Sequence, residues 1–289
     1  MATKNNARAL IMDLMFADPE AEVNSRQFLL AAQLFTISEN NVRVALTRLA
    51  SDGLIESTAR GVYRLSGQAK EISEPVAHRV SGIKATKPWT GHYLVVHTGV
   101  LGRVDRTALK RRERTLRLNG FRELAAELFV RPDNLAEDFA QTRDHLVSTG
   151  LDPRAVMFVA SQFDAAHLAQ IGTLWDKKAL NERYKKTSQH VQSWLAMVDD
   201  LETDVAARES LLIGRQAVPL MLADPLLPEP FVDIVLQQQF FNDVQRLDQV
   251  GHQLWQKLWQ HVAPQNTRDV DDGDQPKASS GKVSKGLFS

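Results

Sequence analysis

Apolar residues recur at helical spacing from the start of the chain. Leu10, Ile11, Leu14 and Met15 predict a helix over Ala7–Phe16. Asp18-Pro19 ends it, because proline holds the residue before it out of the helical region. Asn24 or Ser25 is placed to cap a second helix through Phe28, Leu29, Ala32 and Leu34. Ser38 is placed to cap a third from about Glu39 to Ser51, which Gly53 closes. The pattern then alternates. Leu54–Ser57 and Val62–Leu65 read as two strands joined around Ala59-Arg60-Gly61.

Glu71–Lys87 has little periodicity and reads as a linker. Beyond it, strand-like His92–Val96 precedes a helix over Asp105–Leu118, and Gly120–Leu124 is a weak strand. Glu127–Val130 reads as a strand stopped by Arg131-Pro132, followed by a helix over Leu135–Ser148 and a strand over Ala155–Ala160. Strands alternating with helices in this order predict a ferredoxin-like, split βαβ sandwich. Ala165–His261 is helical except at Asp224-Pro225-Leu226-Leu227-Pro228, with Phe231–Trp259 resuming the helix. The final polar stretch cannot bury enough apolar area to order itself. No internal repeat is visible. The expected class is therefore α+β. Its units are an N-terminal winged helix-turn-helix over 1–70, a linker over 71–87, a ferredoxin-like α/β middle domain over 88–164, a helical C-terminal domain over 165–263 and a disordered tail over 264–289.

Composition narrows the classes of function. At 43% hydrophobic and 24% charged over 289 residues, the chain is globular in character. It has no cysteine, which excludes disulfides, thiolate metal sites and cysteine nucleophiles. Met1–Arg8 lacks the apolar core of a signal peptide, and no apolar run nears the ~20 residues of a membrane helix, so a cytoplasmic protein is expected. Its 35 basic and 35 acidic residues cancel, but unevenly. Eight Lys or Arg residues lie between Arg103 and Arg122 against Asp105 and Glu113, and five acids against one Arg lie in Asp199–Glu209.

The candidate chemistry lies on the third helix. At 100° per residue, Val42, Ala45, Leu46 and Leu49 share one face that must pack inward. Asn40, Asn41, Val44, Thr47, Arg48 and Ser51 face the other way, with Arg43 on the flank. Arg can pair with the O6/N7 edge of guanine, Asn with adenine, and a Thr methyl with the methyl of thymine. Asn40, Asn41, Thr47 and Arg48 are the candidates for base reading; Arg43 and Arg60, at the tip of the hairpin, are the candidates for backbone or minor-groove contact. The pattern by itself leaves three readings open: DNA binding, docking of another protein, and a structural unit whose polar face is only solvated.

Several segments resemble the phenylacetate-degradation repressor family, the PaaX-type transcriptional regulators. They are Asn41–Leu49 with Gly53-Leu54-Ile55; Trp89-Thr90-Gly91; Gly120-Phe121; Phe129-Val130-Arg131-Pro132; Trp175-Asp176 with Leu180 and Tyr184; and Asp224-Pro225-Leu226-Leu227-Pro228, the most specific. They occur in the family's order and span about residues 5–261. The resemblance implies a dimeric repressor with a winged helix, a ferredoxin-like middle domain and a helical C-terminal domain. It further implies binding to palindromic operators and release by an aromatic acyl-CoA or a similar catabolite, in the setting of aromatic catabolism. Two elements depart from the family. His97-Thr98-Gly99 stands where a Pro-Glu-type segment is usual, and no Trp-Pro-Gly-like element follows between Phe240 and Gly251.

Other candidates are weaker. A ferredoxin-like nuclease would need a carboxylate near the end of its first strand to hold Mg²⁺, yet the nearest acid along the chain, Asp105, lies eight residues beyond His97. Arg106, Lys110, Arg114 and Arg117 recur at helical spacing as a stripe for a phosphate-bearing effector or for DNA, or as a solvated face. The histidines have no zinc-like spacing, with His92 and His97 on opposite faces of a strand. Gly281-Lys282 lacks the rest of a phosphate loop. Trp175, Tyr184, Trp194, Trp255 and Trp259 sit at helix-core spacing, with one or two available to line an effector pocket. The expectation is a homodimeric regulator of operator DNA, without catalytic activity, metal or cofactor. Its effector residues are unknown.

Overall fold

The computed structural model describes residues 6–70 and 86–260. The linker expectation falls almost wholly outside these residues, and the tail and Gly281-Lys282 fall outside them too. The fold is α+β, with two antiparallel sheets among many helices.

The chain opens with α1 (Ala7–Ala17), β1 (Val23–Asn24), α2 (Ser25–Leu34), α3 (Glu39–Ser51), β2 (Ile55–Ala59) and β3 (Val62–Leu65). Local chemistry sets these boundaries. Asn24 caps α2, its side chain accepting from the backbone of Gln27 while the Gln27 side chain accepts from the backbone of Asn24. Ser38 caps α3, and Gly53 takes a left-handed φ of 70° just past the helix, a conformation that costs glycine nothing. The three strands run in the order β1-β3-β2. Leu10, Ile11, Phe28, Leu46, Leu49, Ile55 and Leu65 form the buried centre beneath them.

A second sheet follows: β4 (Tyr93–His97), α4 (Arg106–Leu118), β5 (Arg122–Ala125), β6 (Leu128–Pro132), α5 (Phe139–Thr149) and β7 (Val156–Ala160). Its order is β5-β6-β4-β7, every pair antiparallel. Central strand β4 is covered on both faces. Leu94 and Val96 pack with Leu116, Phe121 and Leu146, whereas Tyr93 and Val95 join the core shared with the later helices. Two of the boundaries that move have a visible cause. Strand β6 continues through Arg131 and Pro132, with Pro132 opposite Tyr93. As the terminal residue the proline forfeits one donor without disturbing the ladder before it. Helix α5 starts at Phe139 rather than Leu135, because Asp138 and Gln141 form a capping box while Leu135 is buried and bridged to Thr86.

The remaining helices are α6 (Ala165–Ile171), α7 (Lys177–Leu195), α8 (Thr203–Leu222) and α9 (Ile234–Gln260). Helix α9 packs along α7 and α8. Gly251 permits a close approach: a Cβ there would lie 3.2 Å from the Ser210 hydroxyl. Phe231 precedes the last helix rather than starting it. Its ring is held between Trp89 and Trp175, at centroid distances of 5.4 and 5.0 Å, and Asp233 accepts from the amides of Val235 and Leu236 to start α9. No helix among the described residues is long and apolar enough to cross a membrane.

Candidate functional site

Helix α3 turns its two faces as the wheel requires. Val42, Ala45, Leu46 and Leu49 are buried; Asn40, Asn41, Arg43, Val44, Thr47, Arg48 and Ser51 are exposed. The chain reaches α3 through a tight turn in which Ile37 and Phe35 both donate backbone N–H bonds to Ala32. Thr36 at its centre has φ 56°, a conformation uncommon for a β-branched residue. Glu39 in the first turn and Arg48 in the last both complement the helix dipole.

The exposed side chains are not equivalent. Arg43 is paired with Glu39 one turn back, its Nε 3.1 Å from Oε1. Thr47 donates its hydroxyl to the Arg43 carbonyl at 3.0 Å, so its methyl is the group left for an outside contact. The side chains of Asn40, Asn41 and Arg48 make no hydrogen bond to another described residue. The hairpin puts Arg60 at the exposed turn between β2 and β3, likewise without a partner among the described residues. The structure thus keeps all six candidates at the surface, five of them on one short helix.

Sequence reasoning missed what fastens the hairpin. Strand β1 is only two residues long, Val23 and Asn24, and pairs with Tyr63 and Val62. The Ser25 amide then donates to the Gly61 carbonyl at 2.7 Å, and a Cβ on Gly61 would crowd the Ser25 hydroxyl at 3.1 Å. The turn carrying Arg60 therefore rests against the start of α2, where Arg26 is also exposed. Arg64 and Glu56 pair across the hairpin at 2.6 Å. A two-residue strand leaves no periodic signal, so the sequence shows none of this.

The other motifs singled out in the sequence converge elsewhere, where the second sheet meets the helices. Arg131 is 2% exposed and donates to the carbonyls of Asn119 (2.5 Å) and Pro225 (3.5 Å) and to the Asn134 side chain (3.3 Å). Burial holds its guanidinium down to about 10, still charged at neutral pH, with Asp133 and Glu137 pulling the other way. Asn134 donates to the Leu226 carbonyl at 2.7 Å, and the Trp175 indole donates to the Gly120 carbonyl at 3.1 Å. Asp224 accepts from Tyr184 at 2.7 Å and from Gln237 at 3.1 Å, and burial pushes the Tyr184 phenol up. These residues satisfy one another and fix a joint.

Of the basic run, Arg106, Lys110, Arg114 and Arg117 form an exposed row on α4, while Arg112 turns inward and donates to the Gly102 carbonyl at 2.8 Å. Among the described residues no group of three or more His, Asp or Glu side chains is gathered as a metal ion would require. His92 lies just before β4 and His97 ends it.

Residues 6–69 match the family model described as PaaX-like protein. Among curated proteins none matches. Among solved structures, the chain is similar to an uncharacterized protein from Mycobacterium tuberculosis. The two are 21% identical, the match covers 86% of this chain and 99% of that one, and the TM-score is 0.57. At that identity the likeness is one of fold.

Proposed function

We propose that this chain is a DNA-binding transcriptional regulator, a cytoplasmic repressor without catalytic activity. The observation that carries the reading is the outward face of α3, where Asn40, Asn41, Thr47 and Arg48 stand exposed above a buried Val42, Ala45, Leu46 and Leu49. It lies within the segment that matches the PaaX-like model. Residues 1–70 act as a winged helix-turn-helix, with α3 as the recognition helix in the major groove and Arg60 on the wing beside it. Arg43 exchanges Glu39 for a phosphate on binding. The strand order β5-β6-β4-β7 supports a ferredoxin-like middle domain over 88–164, with a helical domain over 165–263.

The regulator works as a homodimer, whose two recognition helices would enter successive major grooves about 34 Å apart on a palindromic operator. Strand β7 supports this reading. It is an edge of the sheet and exposes Val156, Phe158 and Val159, which a second copy would cover. Release follows when a small-molecule effector favours a state whose helix spacing no longer fits the operator. The resemblance suggests an aromatic acyl-CoA, and a catabolic operon as the target.

The direct test is a gel shift with the DNA upstream of the chain's own gene. A specific complex that resists unrelated competitor DNA is expected. Failure to shift any upstream DNA at low salt, with capture of a protein partner through α3, would establish the docking reading instead. Incubation of nucleic acid with the protein and Mg²⁺ or Mn²⁺ should leave it intact; cleavage would overturn the non-enzymatic reading.

A further inference from the structure

A cleft of ≈ 730 Å³ opens where α1 faces α8 and α9. Its volume falls within the roughly 300–1,000 Å³ of small-molecule sites. The walls are mainly apolar, with Leu14 and Phe16 from α1, Val218 from α8, and Leu247, Trp255 and Trp259 from α9. The two indoles stand 6.1 Å apart, and neither Nε1–H has an acceptor among the described residues. A buried donor without a partner is uncommon and calls for an acceptor. Gly214 also lines the cleft, and a Cβ added there would meet nothing within 4 Å. At that point the wall of the cleft is open.

Charge narrows what fits. Asp13, Asp18 and Asp248 line the cleft with Arg215 and His252. Arg215 is engaged with Asp13, its Nε 2.6 Å from the carboxylate, and its guanidinium lies 5.4 Å from the Phe35 ring. With one firm cation already matched to an acid and two further acids present, the walls do not favour a full negative charge. They offer apolar surface and the side chains of Trp255 and Trp259, whose indole N–H groups lie buried and unpaired.

We infer that this cleft is a ligand site for an uncharged, planar, ring-bearing group carrying an acceptor oxygen such as a carbonyl. The ring would lie against Trp255 and Trp259, and a small turn of an indole would bring its unpaired N–H out to the oxygen. The cleft has one wall on α1, which packs directly on α3, and two on α8 and α9. Occupancy therefore bears on how the first three helices sit against the last two. That consequence rests on the regulator reading above; binding itself does not.

Nile red, a neutral planar dye with a carbonyl oxygen, is the probe. Titrated into the full chain, it should give saturable, blue-shifted emission with a single site. Gly214→Leu, whose Cβ would meet nothing within 4 Å, should weaken binding at least tenfold while leaving the melting temperature unchanged or raised. Trp255→Phe keeps a ring but removes a donor and should weaken it several-fold. Trp194→Phe also removes an indole N–H without a partner among the described residues, but away from the cleft, and should change nothing. Unsaturable dye binding, or equal affinity in wild type and a folded Gly214→Leu, overturns the site. A second titration follows labelled upstream DNA with saturating dye. Dye bound at the cleft without any change in DNA affinity overturns the coupling alone. Dye binding in a protein that shifts no DNA leaves the site standing and refutes the regulator reading.

Discussion

Two sets of polar side chains in this molecule stand in opposite conditions. At the joint between the second sheet and the helices, Arg131, Asn134, Tyr184, Asp224 and Gln237 lie on or close to one another with their donors and acceptors matched. On α3, Asn40, Asn41 and Arg48 are exposed and reach no other described side chain. Buried polar groups are costly unless paired, so the first set exists to hold a geometry. The second set holds nothing together. Its residues are free to act on something outside the chain, and their order along one helix, next to a fastened hairpin, fits a duplex.

The largest expected effect breaks the first set. Arg131→Met should lower unfolding free energy by about 3 kcal/mol in a denaturant titration, since it leaves three or more buried oxygens without their donor. A loss below about 1 kcal/mol would mean that the joint is held by its apolar contacts, and the contrast with α3 would lose its basis. Arg48→Ala should do the reverse. Stability should stay within about 0.5 kcal/mol, while specific DNA binding falls by about 1–3 kcal/mol and one base position relaxes in a footprint. An unchanged footprint would show that α3 is docked in another orientation.

Smaller effects sharpen the second set. Arg60→Ala should weaken binding to all sequences alike and reduce the slope of log affinity against log salt by about 1, as expected for a phosphate contact. Equal slopes would remove the hairpin turn from the interface. Thr47→Ser keeps the bond to the Arg43 carbonyl and deletes only the methyl. Its cost, about 0.5–1 kcal/mol, should appear only on sites with thymine at the contacted position. A uniform loss would assign Thr47 to the backbone instead.

What the sequence makes legible is what local chemistry decides. Ser38, Gly53 and the apolar row Val42, Ala45, Leu46 and Leu49 are sufficient to draw α3 with both ends and both faces. Leu135 and Phe231 mislead because their helical spacing is real but Leu135 is buried and bridged to Thr86 and the Phe231 ring is held by Trp89 and Trp175, so Asp138 and Asp233 set the starts instead. Arg112 lies within the basic run but off the row of Arg106, Lys110, Arg114 and Arg117, and it turns inward to the Gly102 carbonyl. The joint itself is visible only as motifs, since Arg131 and Pro225 lie 94 residues apart. The cleft is less legible still, being assembled from α1, α8 and α9 with no recurring pattern among them.

The α3 face is tested most directly by one anisotropy titration comparing the chain's own upstream DNA with a scrambled duplex of equal length. Wild type is set against a variant with Asn40, Asn41, Thr47 and Arg48 all changed to alanine. Wild type should prefer the upstream duplex by at least about 10³-fold, and the variant, with its melting temperature unchanged, should bind both duplexes equally and weakly. A folded variant that keeps the preference would contradict the assignment of those four side chains to base reading.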